Sequence, residues 1–170
     1  MISTLYAVGE EDFDAAFPGL FPPAFGVAYR ILDNVEDAED ATAEALARAL
    51  VRWDKVAVLP YREAWVMREV ANVAIERVRK RRPAPPAPAE AGDGSDNAAL
   101  RVALVSALTR LSKREREVVV LRYIAGLGEE EVATCLGLSV DAVKKHMLRA
   151  TNGLRKQLDH DVPEVHLDAG

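Results

Sequence analysis

EEEVATCLGLSVDAVKKHMLRATNGLRKQL, residues 129–158, decides the fold, and it divides at Gly137. Before the glycine, Val132, Ala133 and Leu136 recur at helical spacing and predict a short helix from Glu129 to Leu136. After it, Ser139 supplies a side-chain acceptor for the free amides of a helix start. The longer helix predicted from Val140 to about Leu158 turns Val143 and Met147 inward, with Leu138 beside them. Gly137 accepts the left-handed backbone that a sharp turn between two helices requires. Short helix, tight turn, capped longer helix is the helix-turn-helix plan. The outer face of the second helix carries Lys144, Lys145, His146 and Arg149. Such groups reach phosphates and base edges in a major groove wide enough to admit a helix. The competing reading is a solvated basic face on an ordinary bundle.

Working upstream, Ser112-Lys-Arg-Glu115 has the spacing of a capping box. It opens a helix carrying Val118, Val119, Leu121 and Arg122, which Gly126 and Gly128 end. Ala98–Leu108 is a further expected helix. The run from Pro83 to Ser95, rich in proline and alanine, offers no large apolar side chain and few backbone donors, so it reads as a flexible linker. Before it, Phe13, Phe17, Leu20, Ala24, Ala28 and Ile31 form a helical stripe, with a break or kink expected at Pro18, Pro22 and Pro23. Asp33-Asn34 is a turn signal. Ala38, Ala41, Ala45, Ala49 and Trp53 form a second stripe, and Asp54–Pro60 reads as a loop. A third helix is expected over 62–82, with Trp65, Val66, Val70, Val73, Ala74 and Val78 inward and a basic end suited to its dipole. The expectation is an all-α chain with segments 1–82, a linker 83–97, a second module 98–158 and an acidic tail 159–170.

The chain has 170 residues and a formal net charge of −5. The charge is unevenly placed: residues 98–158 hold 11 basic and six acidic side chains, while every other segment is net acidic. A basic island in an acidic chain is a cue for nucleic acid. One cysteine, Cys135, excludes an internal disulfide and a multi-cysteine zinc site, and its expected role is packing. No phosphate-binding glycine loop, nucleophile elbow or metal-ligand spacing occurs, so no catalytic residue, metal or cofactor is expected. No secretory signal and no run long enough to span a membrane is visible, which points to the cytoplasm.

Residues 111–150, LSKREREVVVLRYIAGLGEEEVATCLGLSVDAVKKHMLRA, resemble the C-terminal domain of extracytoplasmic-function (ECF) sigma factors of the sigma-70 family. In the first module, ILDNVEDAED at 31–40 and AWVMREVAN at 64–72, followed by the basic run 77–82, resemble that family's N-terminal domain. The resemblance implies a transcription-initiation factor that binds core RNA polymerase, through its beta and beta-prime subunits, and promoter DNA. It also implies an anti-sigma factor as a partner of the kind that holds many members, and no membrane.

The resemblance further assigns residues. Ser139, Lys144, Lys145, His146, Leu148 and Arg149 would read the −35 element, Leu148 through apolar contact. Tyr61, Arg68, Asn72, Arg77, Arg79 and Lys80 would capture the unpaired −10 strand and lie along its phosphates. Asp37, Asp40 and Glu44 would meet polymerase, although Ala43 replaces the family's usual glutamine there. Arg114 and Arg122 would be backbone contacts or, as the simpler reading, exposed surface charge. The alternative function is a stand-alone helix-turn-helix regulator that does not use core polymerase.

Overall fold

The computed structural model describes residues 4–81 and 95–161, with side chains from 13 to 81 and from 99 to 159. Among the described residues every regular element is helical: α1 Thr4–Leu32, α2 Val35–Val51, α3 Trp53–Val56, α4 Arg62–Lys80, α5 Ser95–Arg110, α6 Lys113–Val119, α7 Glu129–Leu136 and α8 Val140–Asp161. A π-helical turn, Val120–Ile124, continues α6. The readings placed on 83–94 and on 162–170, the linker and most of the acidic tail, lie outside the described residues. Helix α5 starts three residues before the expected module boundary, and α8 runs three residues beyond Leu158.

Helix α1 departs from expectation, because it passes through Pro18, Pro22 and Pro23 without a break. Pro18 and Pro22 are exposed, so the carbonyls deprived of a helical donor face water. Its apolar stripe is also reinforced. Phe17, Phe21, Phe25 and Tyr29 stand one turn apart with ring centroids 5.7–6.1 Å from one another. Helix α1 ends at Asp33, held at φ 53, whose N–H donates to the Tyr29 carbonyl at 2.8 Å. Asn34 then caps α2 by accepting the Asp37 N–H at 2.9 Å. The alanine stripe of α2 is fully buried, and small side chains there bring its backbone close to α1 and α4. Trp53 begins the short helix α3 rather than ending α2, so the expected loop from Asp54 starts with a helical turn.

In the second module the capping box forms as read: Ser112 Oγ accepts the Glu115 N–H at 3.3 Å, and the Glu115 carboxylate accepts the Ser112 N–H at 3.0 Å. Arg122 is half-buried, against the simpler surface reading, and its guanidinium donates to the Leu127 carbonyl, tying the π-helical turn to the segment entering α7. Glu131 accepts the Gly128 N–H at 2.5 Å and so caps α7. Gly137 sits at φ 62 and ψ 40, in the left-handed conformation, and a Cβ there would meet nothing within 4 Å. The cost of a side chain is therefore conformational alone. Gly137→Ala is expected to destabilise the protein by about 1–2 kcal/mol, and Gly137→Asn by less, because asparagine tolerates this conformation. Urea unfolding of the two variants would check both the size and the order.

The two modules pack against each other. Val105 and Leu108 of α5 join the same buried apolar cluster as α1–α4. Arg101 on α5 pairs with Asp33 at 2.5 Å. Ala64 of α4, 3% exposed, is buried in the cluster of Val118, Leu121, Val132, Leu136 and Val143 from the second module.

Candidate nucleic-acid and polymerase interface

The apolar inner faces of α7 and α8 meet as the sequence requires: Val132, Leu136 and Val143 are buried together, with Leu138 and Met147 packed against them. This fixes what α8 shows to solvent. Ser139 is exposed, and its Oγ accepts the Ala142 N–H at 3.2 Å. Lys144, Lys145, Leu148 and Arg149 are exposed, and Leu148 at 64% exposure has no part in the core. A leucine left bare between two cations suits an apolar base edge. Lys144 is partly engaged, 3.7 Å from Glu129. His146 is half-buried, with Nδ1 closed off from solvent. The same exposed surface continues through Asn152, Arg155 and Lys156, which the sequence reading did not single out. Their spacing was the available signal: Asn152 follows Leu148 and Arg149 by four and three residues, and Arg155 and Lys156 follow Asn152 by three and four.

Helix α4 places Tyr61, Trp65, Arg68 and Asn72 on one stripe, at successive steps of four, three and four residues. Trp65 packs against the first module's core as expected, but only in part. It is half-buried beside Arg68, whose guanidinium carbon lies 5.5 Å from the ring centroid. The ring is thus shared between the core and the Arg68 side chain, an arrangement the sequence reading did not single out because the position also fits the inward stripe.

This face turns toward the second module. Asn72 Nδ2 donates to the Glu117 carboxylate at 3.3 Å, and Arg68 Nε lies 3.9 Å from the same group. Glu117 is buried and also pairs with Arg114 at 3.1 Å. The Tyr61 hydroxyl is raised from its ordinary pKa by desolvation first, then by the charge of Glu131 and a hydrogen bond to it. A cavity of about 30 Å³ separates Leu59, Pro60, Tyr61 and Trp65 from Thr134 and Cys135. Cys135 is half-buried there, and burial raises its thiol pKa against the opposing charge of Arg68.

The acidic face of α2 and the basic end of α4 are paired to each other. Arg77 lies 3.6 Å from Asp40 and 3.1 Å from Glu44, and Arg81 pairs with Asp37. Arg79 holds Glu76 at 3.1 Å. Lys80 is exposed at the mouth of the cleft between α2, α4 and α6. Exposed ion pairs of this kind contribute about 0–1 kcal/mol each, so exchanging them for other partners costs little. Among the described residues no group of three or more His, Cys, Asp or Glu side chains could hold a metal ion, and no helix is long and apolar enough to cross a membrane.

The chain matches two models of one family, "Sigma-70 region 2" over residues 20–84 and "Sigma-70, region 4" over residues 101–151. It is 34% identical over 113 residues to the RNA polymerase sigma-E factor of Streptomyces avermitilis, and 32% identical over 112 residues to that of Streptomyces coelicolor. Those matches cover 64% and 63% of this chain, and 63% of each relative. Among solved structures, CnrH in complex with the cytosolic domain of CnrY is 26% identical with a TM-score of 0.59, covering 88% of this chain and 89% of that one. The sigma factor RpoE of Bartonella quintana, in complex with the anti-sigma factor NepR, shares the fold at 23% identity and a TM-score of 0.54, covering 89% of this chain and 99% of that one. With both sigma-70 regions present in order on one all-helical chain, the protein belongs to the sigma-70 family, among the sigma factors of the extracytoplasmic-function type.

Proposed function

We propose that this chain is a specificity subunit that binds core RNA polymerase, brings it to promoters through a −35 and a −10 element, and carries out no chemistry of its own. The observation that carries the reading is the pairing of a free, basic recognition helix on α8 with a region-2 module on the same chain. In this reading residues 1–82 form the polymerase-binding and −10 module, and 98–158 the −35 module. Lys145, Leu148 and Arg149 read base edges, with Ser139, Lys144 and His146 at the flank. Tyr61, Arg68 and Asn72 hold the unpaired strand, and Arg77, Arg79 and Lys80 track its phosphates. Asp37, Asp40 and Glu44 meet polymerase once released from Arg77 and Arg81. The protein works in the cytoplasm, where polymerase is, and an anti-sigma protein joins its partners, as CnrY and NepR do in the two related complexes.

Run-off transcription from a genomic fragment library tests the proposal, with core polymerase alone and with this protein added. New discrete start sites sharing two spaced upstream motifs are expected. A folded protein that yields no new starts, yet retards duplex DNA without polymerase, would favour the stand-alone regulator. That rival has no use for a region-2 module, and the match over 20–84 counts against it.

A further inference from the structure

We propose that the cleft between α2, α4 and α6 is an oxyanion site that takes a small phosphoryl anion, inorganic phosphate or diphosphate, either free or as the phosphate end of a nucleotide. Arg116 on α6 lines this cleft and is only 6% exposed. Its one hydrogen bond among the described residues is a long one, from a terminal guanidinium nitrogen to the Leu111 carbonyl at 3.5 Å. Its Nε is buried with no partner. An arginine does not escape burial by losing its proton, and a buried charge left unpaired is costly. Burial pulls the pKa of this guanidinium down, and the charge of Arg79 pulls it further, against the opposing charges of Glu76 and Glu117. The side chain is held as an acceptor's partner would be, with no acceptor of its own charge class beside it.

The rest of the cleft has the same sign. Arg48, Arg77, Lys80 and Lys113 line it with Arg116, against two carboxylates, Glu44 and Glu76. Both carboxylates are already engaged. Glu44 sits between Arg48 at 2.5 Å and Arg77 at 3.1 Å, and Glu76 holds Arg79 at 3.1 Å. Lys80 and Lys113 are exposed and form no ion pair among the described residues. Five cations against two carboxylates leave an excess of positive charge, and a phosphate group brings about −1.5 to −2 at neutral pH. Guanidinium forks and lysine point charges are both phosphate binders. The cleft, about 240 Å³, is smaller than the sites of roughly 300–1,000 Å³ that enclose drug-sized ligands. A nucleotide would therefore enter by its phosphates and leave its base outside. A phosphate within a strand carries a sugar on either side and fits a floor as deep as Arg116 less well. Lys113 and Arg116 belong to the second module, and Arg48, Arg77 and Lys80 to the first, so both modules grip the anion.

Calorimetric titration of the full-length protein tests the site, with inorganic phosphate, diphosphate and GTP as separate titrants at constant ionic strength. Saturable binding of phosphate or diphosphate is expected. GTP binding as tightly as diphosphate would identify the phosphate end of a nucleotide as a ligand, whereas diphosphate binding without GTP would make it the free anion. Lys113→Ala removes one charge-assisted contact and no buried group, and is expected to weaken binding about tenfold. Arg116→Met is expected to abolish it. The fold should survive that change, because an apolar side chain replaces an uncompensated buried charge. No saturable heat with any titrant overturns the site, as does an affinity unchanged in both folded variants. Should Arg116→Met fail to fold, Lys113→Ala alone decides.

Discussion

Lys145→Ala combined with Arg149→Ala is expected to abolish promoter selection while leaving affinity for core polymerase unchanged. Both side chains stand free on α8, so their loss leaves no buried group unsatisfied and no cavity. A base-edge contact of this type contributes about 1–3 kcal/mol of discrimination, so losing two weakens the −35 site by about thirtyfold or more. A phosphate contact behaves differently, weakening all sequences alike and lowering the salt slope by about one per contact. Start-site mapping at two salt concentrations separates these roles residue by residue. Lys144 is the poorer target, because its removal also frees Glu129, 3.7 Å away, and mixes a lost contact with an unpaired acid. Polymerase binding survives because the acids assigned to it lie on α2, in the other module. Equal loss of promoter selection and polymerase binding would overturn the assignment of α8.

The contrast between α8 and α4 shows what could be read from sequence and what could not. The helix-turn-helix was legible because each device is local. Gly137 turns, Ser139 caps, and Val132, Leu136 and Val143 recur with the period of the helices that bury them. Once the inner face is fixed, the exposure of Lys145, Leu148 and Arg149 follows from geometry. The stripe Tyr61–Trp65–Arg68–Asn72 was legible only as a set of residue types. Its occupation by Glu117 joins positions 45 residues apart in the chain, and no periodicity reports that distance. The same limit hid Trp65, since a helix packed on two sides has no single inward face. The prolines of α1 misled for a different reason. The expected break assumed that lost hydrogen bonds are costly, but on an exposed face water satisfies the freed carbonyls while Leu20, Ala24 and Ile31 hold the buried side. The pairing of Asp37, Asp40 and Glu44 with Arg77 and Arg81 likewise required the packing of α2 on α4, which charge counts along the chain could not supply.

Trp53→Ala is expected to give the largest loss of stability in the first module, about 3–5 kcal/mol, a large share of the roughly 5–15 kcal/mol that holds such a domain folded. Trp53 is 3% exposed and meets the Phe13 ring edge-on, with centroids 5.0 Å apart. Alanine leaves a cavity between α1 and α3 that neither can close, because α1 is held along its length by α2 and α4. The indole N–H has no hydrogen-bond partner in this setting, and burying such a donor costs about 1–3 kcal/mol. Trp53→Phe keeps most of the ring and removes the orphaned donor, so it should cost far less than alanine. Urea denaturation followed by the fluorescence of Trp65, the other tryptophan, measures both variants. A phenylalanine variant as unstable as the alanine one would mean that the N–H is satisfied and the packing account incomplete. The functional consequence follows from position. Helix α3 leads directly into the segment that carries Tyr61 to the start of α4, so loosening Trp53 disorders the approach to the face proposed for strand capture. Packing between α7 and α8 does not involve Trp53. At a temperature where the alanine variant is half unfolded in its first module, polymerase-dependent initiation is therefore expected to fall further than binding of the second module to duplex DNA.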